Sequence, residues 1–253
     1  MKKIFLIGIG AGNPEYVTVQ AINALNEVDV FFITDKGQEK EDLVRLRREI
    51  CERYVKRNSY RIVEATDPVR DRTAPSYTPA VEAWHDQRAV IYERLIEQEL
   101  GDEECGAFLI WGDPCLYDST LRIIERLATK GTLDFDYEVI PGISSIQALA
   151  ARHRIALNRI GKSVHITTGR NIAQGLPDNI DDIVVMLDGD CSFKNVKDSE
   201  IDIYWGAYIG TEDEILVSGN LPERMREIER TRAEAKSRKG WIMDTYLLRK
   251  SKG

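Results

Sequence analysis

Apolar positions in this chain fall into two textures. Short continuous runs, Lys3–Gly8 (KIFLIG), Asp29–Thr34 (DVFFIT) and Ala107–Trp111 (AFLIW), have the length and the β-branched or aromatic content of strands covered on both faces. Between them, apolar residues recur at helical spacing. Val19, Ile22, Ala24 and Leu25 share one face of Thr18–Leu25, and Val81, Trp84, Ala89, Tyr92, Leu95 and Ile96 form a stripe in Pro79–Leu100. The charged stretches Glu41–Val55 and Ser119–Thr129 read as further helices, Tyr60–Glu64 and Asp136–Ile140 as further strands. Asp67–Pro79, with three prolines and the cluster Arg70-Asp71-Arg72, reads as a loop. Strands alternating with helices predict a mostly parallel sheet with helices on both faces.

After Pro141 the texture changes. Ser144–Ala151 is a helix whose cap signal is Ser144 or Ser145. Strand patterns follow at Ser163–Thr168, Asp182–Leu187 and Ile201–Ile209; Glu214–Ser218 then leads to a turn at Gly219–Pro222. A charged helix, Pro222–Lys236, precedes a last strand, Gly240–Leu248. More strand and longer connections predict a mixed sheet here. The pattern places a boundary near Pro141–Ile143, giving two α/β domains, 1–141 and 142–253, with no flexible linker and no internal repeat.

Composition narrows the class. The chain has 253 residues, 43% hydrophobic and 30% charged, which is ordinary for a globular protein of one large or two compact domains. A net charge of -7 argues against a general nucleic-acid-binding surface, which needs a surplus of Lys and Arg. No apolar run has the length to span a bilayer. Glycines interrupt the N-terminal apolar stretch too early for a signal peptide, so a cytoplasmic location is expected. Cys51, Cys105, Cys115 and Cys191 form no CxxC pair, and His85, His153 and His165 lie far apart. Neither a disulfide framework nor a metal site is expected.

The candidate chemistry sits where strands end. Gly8-Ile9-Gly10-Ala11-Gly12-Asn13-Pro14 follows the first strand, but Asn13-Pro14 forces an extra turn before the helix, so it is not the dinucleotide fingerprint. Glycines there let a ligand approach the backbone, or simply make a tight connection. Trp111-Gly112-Asp113-Pro114-Cys115-Leu116-Tyr117 puts a carboxylate at a strand's carboxyl end, where open α/β sheets bind ligands; Asp113 is either an acceptor for ribose hydroxyls or an ammonium, or a turn cap. Pro141-Gly142-Ile143-Ser144-Ser145 repeats the design with two hydroxyls, which cap the helix or meet a ligand.

These three segments, in this order, resemble the tetrapyrrole methylase family, whose patterns GxGxGxP, GDPxxY and PG(I/V)(S/T)S all stand unbroken; Asn13 replaces a frequent Asp. The resemblance spans essentially the whole chain. It implies two domains with a cleft between them, the second completing the cofactor site, and a homodimer. It also implies S-adenosylmethionine as methyl donor, S-adenosylhomocysteine as product, and no metal. By the same resemblance Gly10, Pro14, Gly112, Asp113, Leu116, Ser144, Ser145, Leu187 and Ala207 surround the cofactor. Two further stretches, Asp67–Arg72 followed by Ala80–His85, and Tyr204–Thr211, resemble the deacetylating branch of the family. That branch methylates precorrin-5 at C-1 of the macrocycle and releases the C-20 acetyl group as acetate.

Methyl transfer from a sulfonium needs in-line alignment and little acid–base help, whereas deacylation needs an activated water. Asp113, Tyr117 and His85 are the candidates for that task. Arg70 and Arg72 are candidates to bind substrate carboxylates, because Arg does so bidentately; a solvated charged turn is the plainer reading. Of the aromatic residues, Trp84 is expected in the core, and Trp205 and Tyr208 partly core and partly facing the macrocycle. Three alternatives stay open: another tetrapyrrole or diphthine-type methyltransferase, a non-catalytic binding protein on this fold, and a dinucleotide oxidoreductase. The last is disfavoured because the second strand ends in Thr34, with Asp35 only after it.

Overall fold

The computed structural model describes residues 1–35, 41–69, 77–177 and 180–250. The chain divides into two compact units, Met1–Ser144 and Ser145–Gly253.

Unit 1 holds β1 (Lys2–Gly8), α1 (Val19–Leu25), β2 (Val30–Asp35), α2 (Glu41–Tyr54), β3 (Arg61–Thr66), α3 (Tyr77–Glu99), β4 (Cys105–Ile110), α4 (Thr120–Lys130) and β5 (Phe135–Ile140). The strands form one parallel sheet in the order β3-β2-β4-β1-β5. Alternate residues of the apolar runs enter two separate cores. Phe5, Ile7, Phe31 and Leu109 pack against Ala21 and Leu25 of α1 and Leu46 and Ile50 of α2. Ile4, Leu6, Phe32 and Phe108 pack against Tyr92, Leu95 and Ile96 of α3 and Ile123 and Leu127 of α4. Burial on both faces is why these strands read as unbroken apolar runs.

Strand order and helix placement fix where a ligand can sit. The chain leaves β1 through α1 on one face toward β2; it leaves β4 through α4 on the other face toward β5. Neighbouring strands whose connections depart in opposite directions open a crevice at their carboxyl ends. In this unit that switch point lies between β1 and β4, the two strands followed by the glycine-rich and Gly-Asp-Pro segments.

Unit 2 holds α5 (Ser145–His153), β6 (Val164–Thr168), α6 (Gly169–Ile172), β7 (Asp182–Met186), β8 (Ile201–Ala207), β9 (Ile215–Asn220), α7 (Leu221–Lys239) and β10 (Asp244–Lys250). Its sheet runs β6-β7-β10-β8-β9, with β6 and β7 parallel and the other pairs antiparallel. The mixed sheet expected for the second half is therefore present. One local expectation fails. There is no turn at Gly219–Pro222: β9 runs to Asn220 and α7 starts at Leu221. Gly219 takes φ +139° inside the strand, and Pro222 occupies the first turn of the helix, where a missing N–H costs nothing. The short helix α6 and the 3₁₀ turns Pro14–Tyr16 and Ser192–Asn195 are too brief to leave a periodic trace.

Candidate functional site

In unit 1 three strand ends are stitched together by backbone. Beyond β1 and β4, Gly10 and Gly112 form an isolated antiparallel bridge: the Gly112 N–H donates to Gly10 O at 2.9 Å, and the Gly10 N–H to Gly112 O at 3.3 Å. Both glycines hold positive φ, +79° and +72°. Gly142, after β5, packs so closely that a Cβ on it would lie 2.1 Å from Gly112 O and 2.8 Å from Gly8 Cα. All of these neighbours are main chain, so none has a rotamer with which to give way.

Asp113 ties the same loops. Its Oδ1 accepts the Cys115 N–H at 2.8 Å, and its Oδ2 accepts the Gly142 N–H at 2.9 Å across 29 residues of sequence. The carboxylate thus holds its own turn and the loop after β5. Pro14 opens a 3₁₀ turn capped by Asn13, whose side chain accepts the Glu15 N–H at 2.8 Å; Tyr54 Oη donates to Pro14 O at 3.0 Å. Leu116 is half-buried. Tyr117, at φ +52°, stands 44% exposed, with partial burial raising its phenol above the ordinary range. Ser144 is buried.

His85 lies on α3, buried, with its ring 5.4 Å from that of Trp84. Burial, and then the guanidinium groups of Arg126, Arg88 and Arg122, depress its imidazolium below the usual histidine range, so the ring is neutral at pH 7. Arg70 and Arg72 lie outside the described residues. The segment leading into them is anchored: buried Asp67 meets Arg88 Nε at 2.7 Å, Trp84 Nε1 donates to Pro68 O at 2.8 Å, and Arg88 also donates to Ser119 Oγ at 2.6 Å and to Tyr92 Oη. Trp84, expected in the core, is only half-buried and belongs to neither core of unit 1.

Unit 2 has a braced loop of its own, after β7. Leu187 takes φ +54° and projects 64% exposed. The next residue, Asp188, is buried and collects four donors: the N–H groups of Asp190 (3.1 Å) and Ser192 (2.6 Å), Ser192 Oγ (2.9 Å) and Tyr246 Oη (2.7 Å). Arg232 Nη2 grips the main-chain oxygen of Asp188 at 2.9 Å and Arg232 Nε meets Asp244 Oδ2 at 3.0 Å. Ser145 Oγ lies 3.1 Å from Thr245 Oγ1. Ala207 is fully buried at the end of β8, and Trp205 is fully buried with Nε1 on Asp244 at 2.9 Å. Tyr208, at φ +48°, is 2% exposed; its ring meets Trp241 edge-on and its hydroxyl donates to Trp241 O.

The tetrapyrrole (corrin/porphyrin) methylases match the chain over residues 3–224. The chain belongs to the tetrapyrrole methylase family. A precorrin-6A synthase (deacetylating) from a Sinorhizobium species is 56% identical over 250 residues, covering 99% of this chain and 96% of that one. A solved cobalamin synthesis related protein (CobF) from Corynebacterium diphtheriae superposes with a TM-score of 0.86 at 38% identity, covering all of both chains. A Thermus thermophilus uroporphyrin-III C-methyltransferase, solved with S-adenosylhomocysteine, shares the fold, with a TM-score of 0.56 at 16% identity over 97% of this chain and 96% of that one.

The residues of this methylase suit a sulfonium ligand. The loops 8–18, 111–119 and 141–144 contain Glu15, Asp113 and Asp118 but no Lys or Arg, which favours a cation over a nucleotide phosphate. A Cβ on Gly112 would meet nothing nearer than Ser144 Cα at 3.6 Å, leaving main chain open to a ligand edge. Leu116, half-buried beside Asp113 in the chain, offers apolar surface. Among the described residues no group of three His, Cys, Asp or Glu side chains gathers as a metal site, and no helix is long and apolar enough to cross a membrane. Asp188, Arg88 and Arg232 are structural residues that no motif in the sequence marks, and Gly142, though inside one, gives no sign there of its bond to Asp113. A strand running into Asp-Gly at 188–189, as β4 runs into Gly-Asp, was the available signal for one of them.

Proposed function

We propose that this chain is an S-adenosylmethionine-dependent C-methyltransferase of corrin biosynthesis, which methylates precorrin-5 at C-1 and releases the C-20 acetyl group as acetate to give precorrin-6A. The observation that carries this reading is the 56% identity to a deacetylating precorrin-6A synthase, over 99% of this chain and 96% of that one and therefore through both units.

The residues divide the work as follows. Gly10, Gly112 and Gly142 bring main chain from three strand ends together, and Asp113 fixes that arrangement, so the site is rigid before any ligand arrives. By the family resemblance Pro14, Leu116, Ser144, Ser145 and Leu187 are further proposed cofactor contacts; Ala207, with no exposed surface at the end of β8, packs within unit 2 instead. S-adenosylmethionine supplies the methyl group as a sulfonium whose positive charge vanishes on transfer, so a poorly hydrated site does not oppose the step. Acetyl loss adds the oxygen of water to the ketone carbon, breaks the ring–acetyl carbon bond and leaves that electron pair on the macrocycle. The proton of the water goes to a base, a role that neutral His85 can fill, whereas both oxygens of Asp113 already accept N–H bonds and the Tyr117 phenol, raised above its ordinary range, stays protonated and can only donate. Tyr208 acts by shaping the turn after Ala207, since its ring is enclosed in unit 2.

Incubation of the purified protein with precorrin-5 and S-adenosylmethionine, followed by mass spectrometry, is expected to show one methyl gained and one acetyl lost per turnover. Methyl gain with the acetyl retained would assign the chain to another branch of the family. Arg70 and Arg72 are proposed to bind substrate carboxylates: the double variant Arg70→Ala/Arg72→Ala is expected to lose tetrapyrrole affinity about tenfold, with S-adenosylhomocysteine affinity unchanged in calorimetry. Equal tetrapyrrole affinity in variant and parent would remove that role. We further propose a cytoplasmic homodimer, on the family resemblance, that engages neither metal nor nucleic acid; light scattering in solution checks the dimer.

A further inference from the structure

We propose that Arg47 is an anion receptor: its guanidinium, set in a fork of the parallel sheet between β2 and β4, takes a carboxylate of the tetrapyrrole substrate. The identity of the ligand rests on the function proposed above; the receptor itself does not.

The fork follows from register. β2 pairs with β4 only from Val30↔Gly106 to Phe32↔Phe108, whereas β2 stays with β3 as far as Asp35↔Thr66 and β4 stays with β1 as far as Gly8↔Ile110. The carboxyl ends of β2 and β4 therefore part company. Ile110 O accepts from the Ile9 N–H on the β1 side, so the carbonyl before it, Leu109 O, faces β2, which has already turned away. Arg47 reaches in from α2 and its Nε donates to this orphan carbonyl at 2.9 Å, while Nη1 donates to Leu43 O at 2.8 Å. From the opposite face of the sheet, α3 brings Arg88 close enough for the two guanidinium groups to repel one another.

Arg88 is neutralised by Asp67 and held at three of its nitrogens. Arg47 is different. The other α2 guanidinium groups each meet a carboxylate, Arg45 at Asp42, Arg48 at Glu64 and Arg53 at Glu15, but Arg47 has no ion pair among the described residues. Of its five N–H groups, two are used on main-chain oxygens and three have no acceptor there. Asp118 attracts it through space, yet that carboxylate is turned to the Thr120 N–H at 2.6 Å. Loss of hydration, the dominant influence on this guanidinium, disfavours its charge. Closing a carbonyl needs only a neutral donor; a partly buried cation with spare N–H groups, at the edge of a parallel sheet where ligands bind, is matched by an incoming carboxylate.

Uroporphyrin III, a stable tetrapyrrole polycarboxylate, serves as probe. Arg47→Gln is expected to weaken its binding at least about tenfold, Arg47→Lys to weaken it less, and both to keep S-adenosylhomocysteine affinity within about twofold. Because Arg47 also closes Leu109 O, a second measurement uses the unaltered protein: the Arg47 Nε–H resonance is expected to shift on addition of uroporphyrin III and to stay in place with S-adenosylhomocysteine. Parental probe affinity in a folded Arg47→Gln protein, or an Arg47 resonance unmoved at saturating probe, would overturn the proposal. Failure of precorrin-5 turnover with an intact Arg47 response would instead count against the proposed reaction and leave the receptor standing.

Discussion

Gly142→Ala is expected to destabilise the N-terminal unit by about 3 kcal/mol or more, the upper end for overpacking, and to lower S-adenosylhomocysteine affinity by at least about tenfold. The added Cβ would sit 2.1 Å from Gly112 O and 2.8 Å from Gly8 Cα. No side-chain rotation relieves either contact, so β5's exit loop must withdraw from β1 and β4. Withdrawal lengthens the 2.9 Å bond from the Gly142 N–H to Asp113 and strains the Gly10–Gly112 bridge. Gly131→Ala is the matched control. Gly131 has φ +67° at the end of α4, and a Cβ there would meet nothing within 4 Å, so only left-handed strain of about 1 kcal/mol is added. Hydrogen exchange of β1 and β4 amides separates the two variants: protection should fall sharply for Gly142→Ala and little for Gly131→Ala. Equal protection would show that the three loops are not mechanically coupled.

That coupling marks the limit of what the chain reveals by pattern. β1, β4 and the glycine turns after them are legible because a strand covered on both faces must be a continuous apolar run, and a ligand loop at its end must be punctuated by Gly and Pro. Asp113 is legible as a carboxylate at a strand end. Its partner, the Gly142 N–H, is not, because strand order places β5 beside β1 and sequence periodicity carries no neighbour list. The same holds for Arg47, whose meaning depends on where β2 leaves β4. Tyr208 shows the converse limit. An aromatic just beyond a strand is equally suited to core and cleft, and its left-handed backbone turns the ring inward onto Trp241. The strand–helix passage at Asn220–Leu221 was hidden by Gly219 and Pro222, which mark turns in most contexts but fit a strand end and a helix start here.

Arg232→Met is expected to cost about 3–5 kcal/mol at pH 8, the range for a buried ion pair that loses one member, and distinctly less at pH 5. Arg232 on α7 is buried and joins two features of unit 2, the Asp244 carboxylate and the Asp188 carbonyl behind exposed Leu187. Burial already holds the Asp244 carboxyl above the usual carboxylate range, against the opposing pull of Arg232 and the Trp205 indole N–H. Methionine matches the volume but removes the charge, so the Asp244 pKa climbs further. The folded variant then binds a proton that the unfolded chain, with an ordinary Asp near pH 4, has released. Stability therefore declines as pH rises between those two values, and the deficit relative to the parent widens toward alkaline pH. Urea unfolding at pH 5 and pH 8 reads this directly; a deficit independent of pH would mean that Asp244 is rehydrated when Arg232 is removed. Adding Asp244→Leu should abolish the pH dependence and restore part of the loss, leaving Trp205 Nε1 and the Asp188 carbonyl as the groups still lacking a partner. If Leu187 contacts the cofactor as proposed, S-adenosylhomocysteine affinity is expected to fall in Arg232→Met and not to return in the double variant, because the loop that presents Leu187 is held by the Arg232 guanidinium itself and not by the charge balance around it.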